Sequence, residues 1–127
     1  MTGTATLGQQ LLAAVNDLRT AQAELEAKAR DYARTEAAYR HAKAVSYLQS
    51  EGKNQAEREA NAELVVFGEG TLNLVRYRRD LDDALRNSAQ EAVRTHRGIV
   101  SALQSLAALE RAEADLARYG SQQAVGA

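Results

Sequence analysis

The residues able to do chemistry are few. Two histidines, His41 and His96, come first, because helix bundles hold metal pairs through Glu-x-x-His motifs that project inward. Neither histidine fits: Ala38 lies three residues before His41, and Val93 three before His96. The chain has no cysteine, so a thiolate ligand, a thiol nucleophile and a disulfide framework are all excluded. Asp82, Asp83, Glu110 and Glu113 stand among helix formers and basic neighbours, the pattern of solvated faces and ion pairs. Gly68-Glu69-Gly70 lacks the preceding strand and the third glycine of a phosphate-binding loop. The expectation is a protein with no catalytic, metal or cofactor site, and not an enzyme.

One cluster could carry binding. Arg76, Tyr77, Arg78 and Arg79 bring three cations and an aromatic ring together, and Arg86, Arg94 and Arg97 follow. Arginines can neutralise phosphates and a tyrosine can stack on an unpaired base. Asp80, Asp82, Asp83 and Glu91 are interleaved with them, however, and the whole chain has a net charge of −1. Nucleic-acid binding is therefore the second reading, behind an ion-paired helix face.

The elements that must position these residues are helical throughout. Proline is absent, so nothing interrupts long helices by removing a hydrogen bond and clashing with the preceding turn. Alanine is abundant and Trp absent, a composition suited to close helix packing. Thr6-Leu7-Gly8-Gln9 forms a capping box that starts the first helix. Leu11, Leu18, Leu25, Tyr32 and Tyr39 then recur every seven residues, a heptad-like seam. Gly52 supplies the left-handed residue of a helix end, and Asn54 with Glu57 caps the next helix. The expected architecture is all-α: a long antiparallel helical hairpin with helix 1 over about 7–51, a turn at 52–54 and helix 2 over about 55–119, in one domain. A kink is allowed at Gly68–Gly70, and 120–127 reads as a disordered tail.

Helix 2 carries two interleaved series. Leu74, Leu81, Ser88, Thr95, Ala102, Leu109 and Leu116 form one; Arg78, Leu85, Ala92, Ile99, Leu106 and Glu113 form the other. Phe67 extends the first series towards the turn, and Leu64 and Thr71 extend the second. Together they alternate three and four apart, as a coiled-coil seam requires. Folding the helices about the turn brings Leu11 level with Arg94, Leu25 with Asp80 and His41 with Leu64, and sets Gly68 and Gly70 opposite the stretch from Tyr32 to Tyr39. Helix 1 then ends level with Gly98 and leaves helix 2 overhanging by roughly 30 Å at 1.5 Å per residue. Ile99, Val100, Leu103, Leu106, Leu109 and Leu116 form the apolar stripe of that overhang. A second copy that covers it, in a dimer with a four-helix segment, is the expected solution; a break near Gly98 with the end folded back is the other.

The stretch Ala42-Lys43-Ala44-Val45-Ser46-Tyr47-Leu48-Gln49-Ser50-Glu51-Gly52-Lys53-Asn54-Gln55-Ala56-Glu57-Arg58-Glu59-Ala60 resembles small helical-hairpin proteins of actinobacterial phages and prophages. In those, Tyr-Leu ends one helix, Glu-Gly makes the turn and Ala-Glu-Arg opens the next. The resemblance implies a phage accessory protein, in some cases encoded near DNA-recombination genes, and supplies no active site. As an interaction module, the hairpin would present its outside to a protein partner, a host or phage factor. Secreted actinobacterial hairpins with a Trp-x-Gly turn are set aside, since the turn here is Ser-Glu-Gly. Met1–Gln10 lacks the basic and apolar regions of a signal peptide, and no apolar run suits a membrane span. A cytoplasmic location, without membrane association, is the expectation.

Overall fold

The computed structural model describes residues 5–49, 52, 54–67 and 71–126, with side chains over 5–49, 52, 54–61 and 73–122. Among the described residues there are three helices: α1 (Leu7–Gln49), α2 (Gln55–Phe67) and α3 (Thr71–Gly126). No strand occurs among the described residues. The long helices α1 and α3 pack against each other as a hairpin. Packing divides the chain into two units, one of Met1–Gln22 with Glu91–Ala127 and one of Ala23–Gln90. Among the described residues, no helix is long and apolar enough to cross a membrane.

Both capping signals operate as read. The Thr6 N–H donates to Gln9 Oε1 at 2.9 Å, and the Gln9 N–H donates to Thr6 Oγ1 at 3.1 Å. Two amide hydrogens at the start of α1 thus find reciprocal acceptors. At α2 the Glu57 N–H donates to Asn54 Oδ1 at 2.9 Å. Gly52 is needed for a different reason from the expected one. Its backbone is not left-handed; a Cβ there would lie 2.9 Å from the Arg58 backbone nitrogen, so the glycine permits close approach of the chain. Arg58 Nε also donates to the Gly52 carbonyl at 3.2 Å.

Two expectations about the second half need correction. The single helix over 55–119 is two elements, α2 and α3, and Gly68–Gly70 between them lie outside the described residues. The tail does not leave the helix at Gly120, since α3 runs on to Gly126. α3 is unbroken at Gly98, where the added methyl of an alanine would meet nothing within 4 Å.

The largest correction is the register. In the unit of residues 23–90, Arg86 lies over the Tyr32 ring and Arg79 over the Tyr39 ring. In the other unit, Leu7 and Leu11 line a groove with Ala107, Glu110 and Ala114. Arg94 is therefore not level with Leu11, nor Asp80 with Leu25, nor Gly98 with Leu7. Arg79 and Arg86 are what lies over Tyr39 and Tyr32, and the glycines of 68–70 expected opposite them lie outside the described residues. The physical reason is α2. It occupies the connection, so the bend of the hairpin is centred beyond the Ser-Glu-Gly turn, and α3 slides along α1 accordingly. Since α1 reaches Ala107–Ala114, the long apolar overhang expected from Gly98 onward does not exist.

Candidate functional site

The inner seam of α1 is a strict heptad alternation. Leu7, Leu11, Ala14, Leu18, Ala21, Leu25, Lys28, Tyr32, Thr35, Tyr39, Ala42 and Ser46 are its buried or half-buried positions. The matching seam of α3 is Val75, Arg79, Asp82, Arg86, Ala89, Val93, His96, Val100, Leu103 and Ala107, again alternating four and three apart. These seams have a sharp division of chemistry. In the unit of residues 5–22 and 91–126 the deepest residues are Ala14, Val93 and Val100. In the other, polar and aromatic groups interlock.

That interlocking repeats at one-heptad spacing. The Arg86 guanidinium carbon sits 4.2 Å from the centre of the Tyr32 ring, and that of Arg79 sits 4.1 Å from the centre of Tyr39. A flat cation over an aromatic face is attracted by the ring quadrupole. Arg79 also meets Glu36 at 3.6 Å and Asp80 at 2.8 Å. Burial works to lower the Arg79 pKa, but the Asp80 hydrogen bond and the charges of Asp80, Tyr39 and Glu36 outweigh it and raise the value. Arg86 donates to Asp83 at 2.7 Å, while its Nε is buried with no acceptor among the described residues.

This geometry redistributes the basic cluster singled out above. Arg79 is turned into the hairpin, and Arg76 lies 3.8 Å from Asp80. Tyr77 and Arg78 remain exposed. The cluster is therefore not one continuous cationic face. His41 is exposed and His96 half-buried on the inner seam. Among the described residues no group of three His, Cys, Asp or Glu is placed to hold a metal ion. An open groove of about 680 Å³ lies between Arg40–Leu48 of α1 and Gln55 and Glu59 of α2. Arg40, at its edge, is ion-paired with Glu36.

The feature without a counterpart among the described residues is the other heptad series of α3. In the unit of residues 23–90 it exposes Leu74, Leu81 and Leu85; in the other unit it exposes Ile99, Leu106, Leu109 and Leu116. Their exposures run from 39% for Leu85 to 70% for Leu116, so these are surface residues and not the edges of a core. Arg78, Ser88, Ala92, Thr95, Ala102 and Glu113 complete the series, and all are exposed. Each position of this outer seam from Leu74 to Leu106 precedes one of the inner seam by a single residue. At 3.6 residues per turn the two faces are about 100° apart on the helix.

Of the six residues expected to form an oligomer interface, the structure thus splits the set. Val100 is buried and Leu103 half-buried on the inner seam, whereas Ile99, Leu106, Leu109 and Leu116 are exposed on the outer one. Sequence reasoning missed Leu74, Leu81 and Leu85 as members of an exposed surface. It had found their periodicity, but assigned that periodicity to the contact with α1.

The outer seam carries larger side chains than the inner one. Inner α3 positions are Val, Ala, His and charged residues with one Leu; outer positions include six Leu and one Ile. α1 has no equivalent, because its exposed large apolar residues, Leu12, Val45 and Leu48, are scattered. The fold and this surface together define a helical hairpin whose second long helix carries two seams. No family model, no curated protein and no solved structure matches the chain.

Proposed function

We propose that the chain is a non-catalytic, self-associating helical interaction module, of the accessory kind that the resemblance of its turn to phage hairpins implies. One observation carries the reading: the bulkier of the two heptad seams of α3 faces away from α1. A series of Leu and Ile at coiled-coil spacing is stabilised when another helix covers it. Full burial of each such side chain contributes about 1.5–3 kcal/mol, and here a large part of that gain is still unrealised. At about 170 Å² per fully exposed Leu or Ile, the seven residues leave roughly 600 Å² of side-chain surface per copy, so two copies reach the lower range of stable interfaces. The angle between the two seams is close to the right angle at which one helix of a four-helix bundle meets its two neighbours.

The test is mass in solution. Light scattering or sedimentation of the full chain at micromolar concentration is expected to give a dimer. Ile99→Asp with Leu106→Asp is expected to give a monomer that keeps its helical circular dichroism. A wild-type monomer at these concentrations overturns the reading.

The nucleic-acid reading loses its main support with Arg79 held between Tyr39 and Glu36. A single-stranded DNA titration at low salt separates the two. Binding that falls steeply with salt and disappears with Arg76→Ala and Arg78→Ala would restore it.

A further inference from the structure

We infer that the occupant of the outer seam is a second copy of this chain running antiparallel, with α3 against α3. The inference rests on the reading of that seam as a self-association surface and adds its direction and register.

Charge selects the direction. Arg78 and Glu113 both occupy the same kind of position in the outer heptad, near its two ends, and both are exposed. A parallel, in-register pair would stack Arg78 on Arg78 and Glu113 on Glu113. Like charges facing each other inside a seam are strongly unfavourable. An antiparallel pair carries each Arg78 to the end where the partner's Glu113 lies.

Side-chain volume selects the register. Knobs-into-holes packing of antiparallel helices sets one heptad series against the other, so allowed registers differ by whole heptads. One of these places Leu85 against the partner's Ala102 and Ser88 against the partner's Ile99. Ala92 and the partner's Thr95 then meet at the centre, and Leu81 meets the partner's Leu106. Large residues fall opposite small ones on both sides of the centre, which is how layers fill without voids. Glu113 of the partner comes level with Leu74, one helical turn from Arg78. Sliding by one heptad instead sets Leu85 against the partner's Leu109 and Ala92 against the partner's Ala102, large on large and small on small. In a parallel pair Leu85 meets Leu85 while Ser88, Ala92 and Ala102 each meet themselves, leaving a seam thick in some layers and thin in others.

The small residues flanking the seam fit the same arrangement. Ala84, Gly98, Ser105 and Ala112 line its free edge together with Tyr77 and Glu91, and all six are exposed. The four small ones let a second helix approach closely, while the opposite edge is occupied by the contact with α1.

The chain contains no cysteine, so introduced thiols report directly. Leu85→Cys and Ala102→Cys are made separately in the full chain, one carrying a tag that changes its gel mobility, and oxidised alone and mixed. A disulfide needs Cα atoms within about 7 Å. In the inferred register neither variant can link to itself, because like positions lie about 25 Å apart along the axis. The mixture is expected to give the mixed disulfide as the main covalent product. Ser88→Cys with Ile99→Cys repeats the test at sites that do not alter Leu85. Each variant linking to itself would overturn the antiparallel direction. A dimer by light scattering with no link of either kind would overturn the register. Both results leave self-association standing, whereas a monomer by light scattering sinks the two readings together. Arg78→Glu gives an independent readout: dimerisation is expected to weaken about tenfold. An unchanged dissociation constant would count for the parallel pair, in which Arg on Arg is merely replaced by Glu on Glu.

Discussion

Removing Arg79 from above Tyr39 should cost the hairpin a measurable coupling energy. The guanidinium carbon is 4.1 Å from the ring centre, and the arginine side chain retains 24% of its exposure. Exposed cation–aromatic pairs contribute about 0.5–1 kcal/mol and desolvated ones about 2, so this half-buried pair should contribute about 1 kcal/mol. Tyr39→Leu keeps an apolar side chain and removes the ring; Arg79→Met keeps the length and removes the charge. Arg79→Met also takes a cation from Glu36, but Arg40 remains 2.8 Å from that carboxylate. Each single variant is expected to lose about 1–2 kcal/mol, and the double variant about 1 kcal/mol less than the sum. Urea unfolding followed by circular dichroism, at one fixed protomer concentration, measures all four proteins. With a slope of about 2 kcal/mol per molar urea, the coupling corresponds to about 0.5 M in midpoint. Tyr32 with Arg86 provides a second cycle one heptad away. Additivity within about 0.3 kcal/mol in both cycles would refute the claim that these stacked pairs hold the register of α1 against α3.

Other outcomes follow from the same geometry. Gly98→Ala should stabilise the dilute, monomeric protein by about 0.5–1 kcal/mol, because the position is interior to α3 and open space surrounds the new methyl within the chain; a loss in thermal unfolding under those conditions would contradict an unbroken helix there. Gly52→Ala should act in the opposite direction, since its methyl would press on the Arg58 backbone, and a neutral result would show that this approach relaxes freely. Asn54→Ala should cost about 1 kcal/mol by removing the cap of α2, read as a lower urea midpoint. Leu103→Asp should lower the unfolding midpoint even where the protein is dilute enough to be monomeric, whereas Leu106→Asp under the same conditions should leave it within about 0.5 kcal/mol of wild type. Equal destabilisation by the two would mean that the inner and outer faces are misassigned.

Much of the local structure was legible before any coordinates. The Thr6–Gln9 box and the Asn54 cap announce where α1 and α2 begin, because a few side-chain acceptors placed three residues from a free amide can act only locally. The heptad recurrence from Leu11 to Tyr39 marks the buried face of α1 correctly. On α3 the same method found a real series but gave Leu74, Leu81 and Leu85 to the contact with α1, where the structure leaves them exposed. The arginines at 79 and 86 look like surface residues in a list of types. Only when Tyr39 and Tyr32 lie beneath them do their flat cations become seam residues.

What the sequence determined alone is therefore the helical class, the caps that start α1 and α2 and the presence of a Leu-rich stripe along α3, since each depends on residues within a turn or two of one another. What only the tertiary structure decided is the register and the choice of face. Apolar periodicity belongs to a single helix: it says that one side gains by being covered and is silent about what covers it. The α2 element in the connection moves the bend away from the Ser-Glu-Gly turn, and the two stacked Arg–Tyr pairs fit at the resulting alignment. The face of α3 that α1 then takes is the less apolar of the two, which leaves the greasier one turned outward.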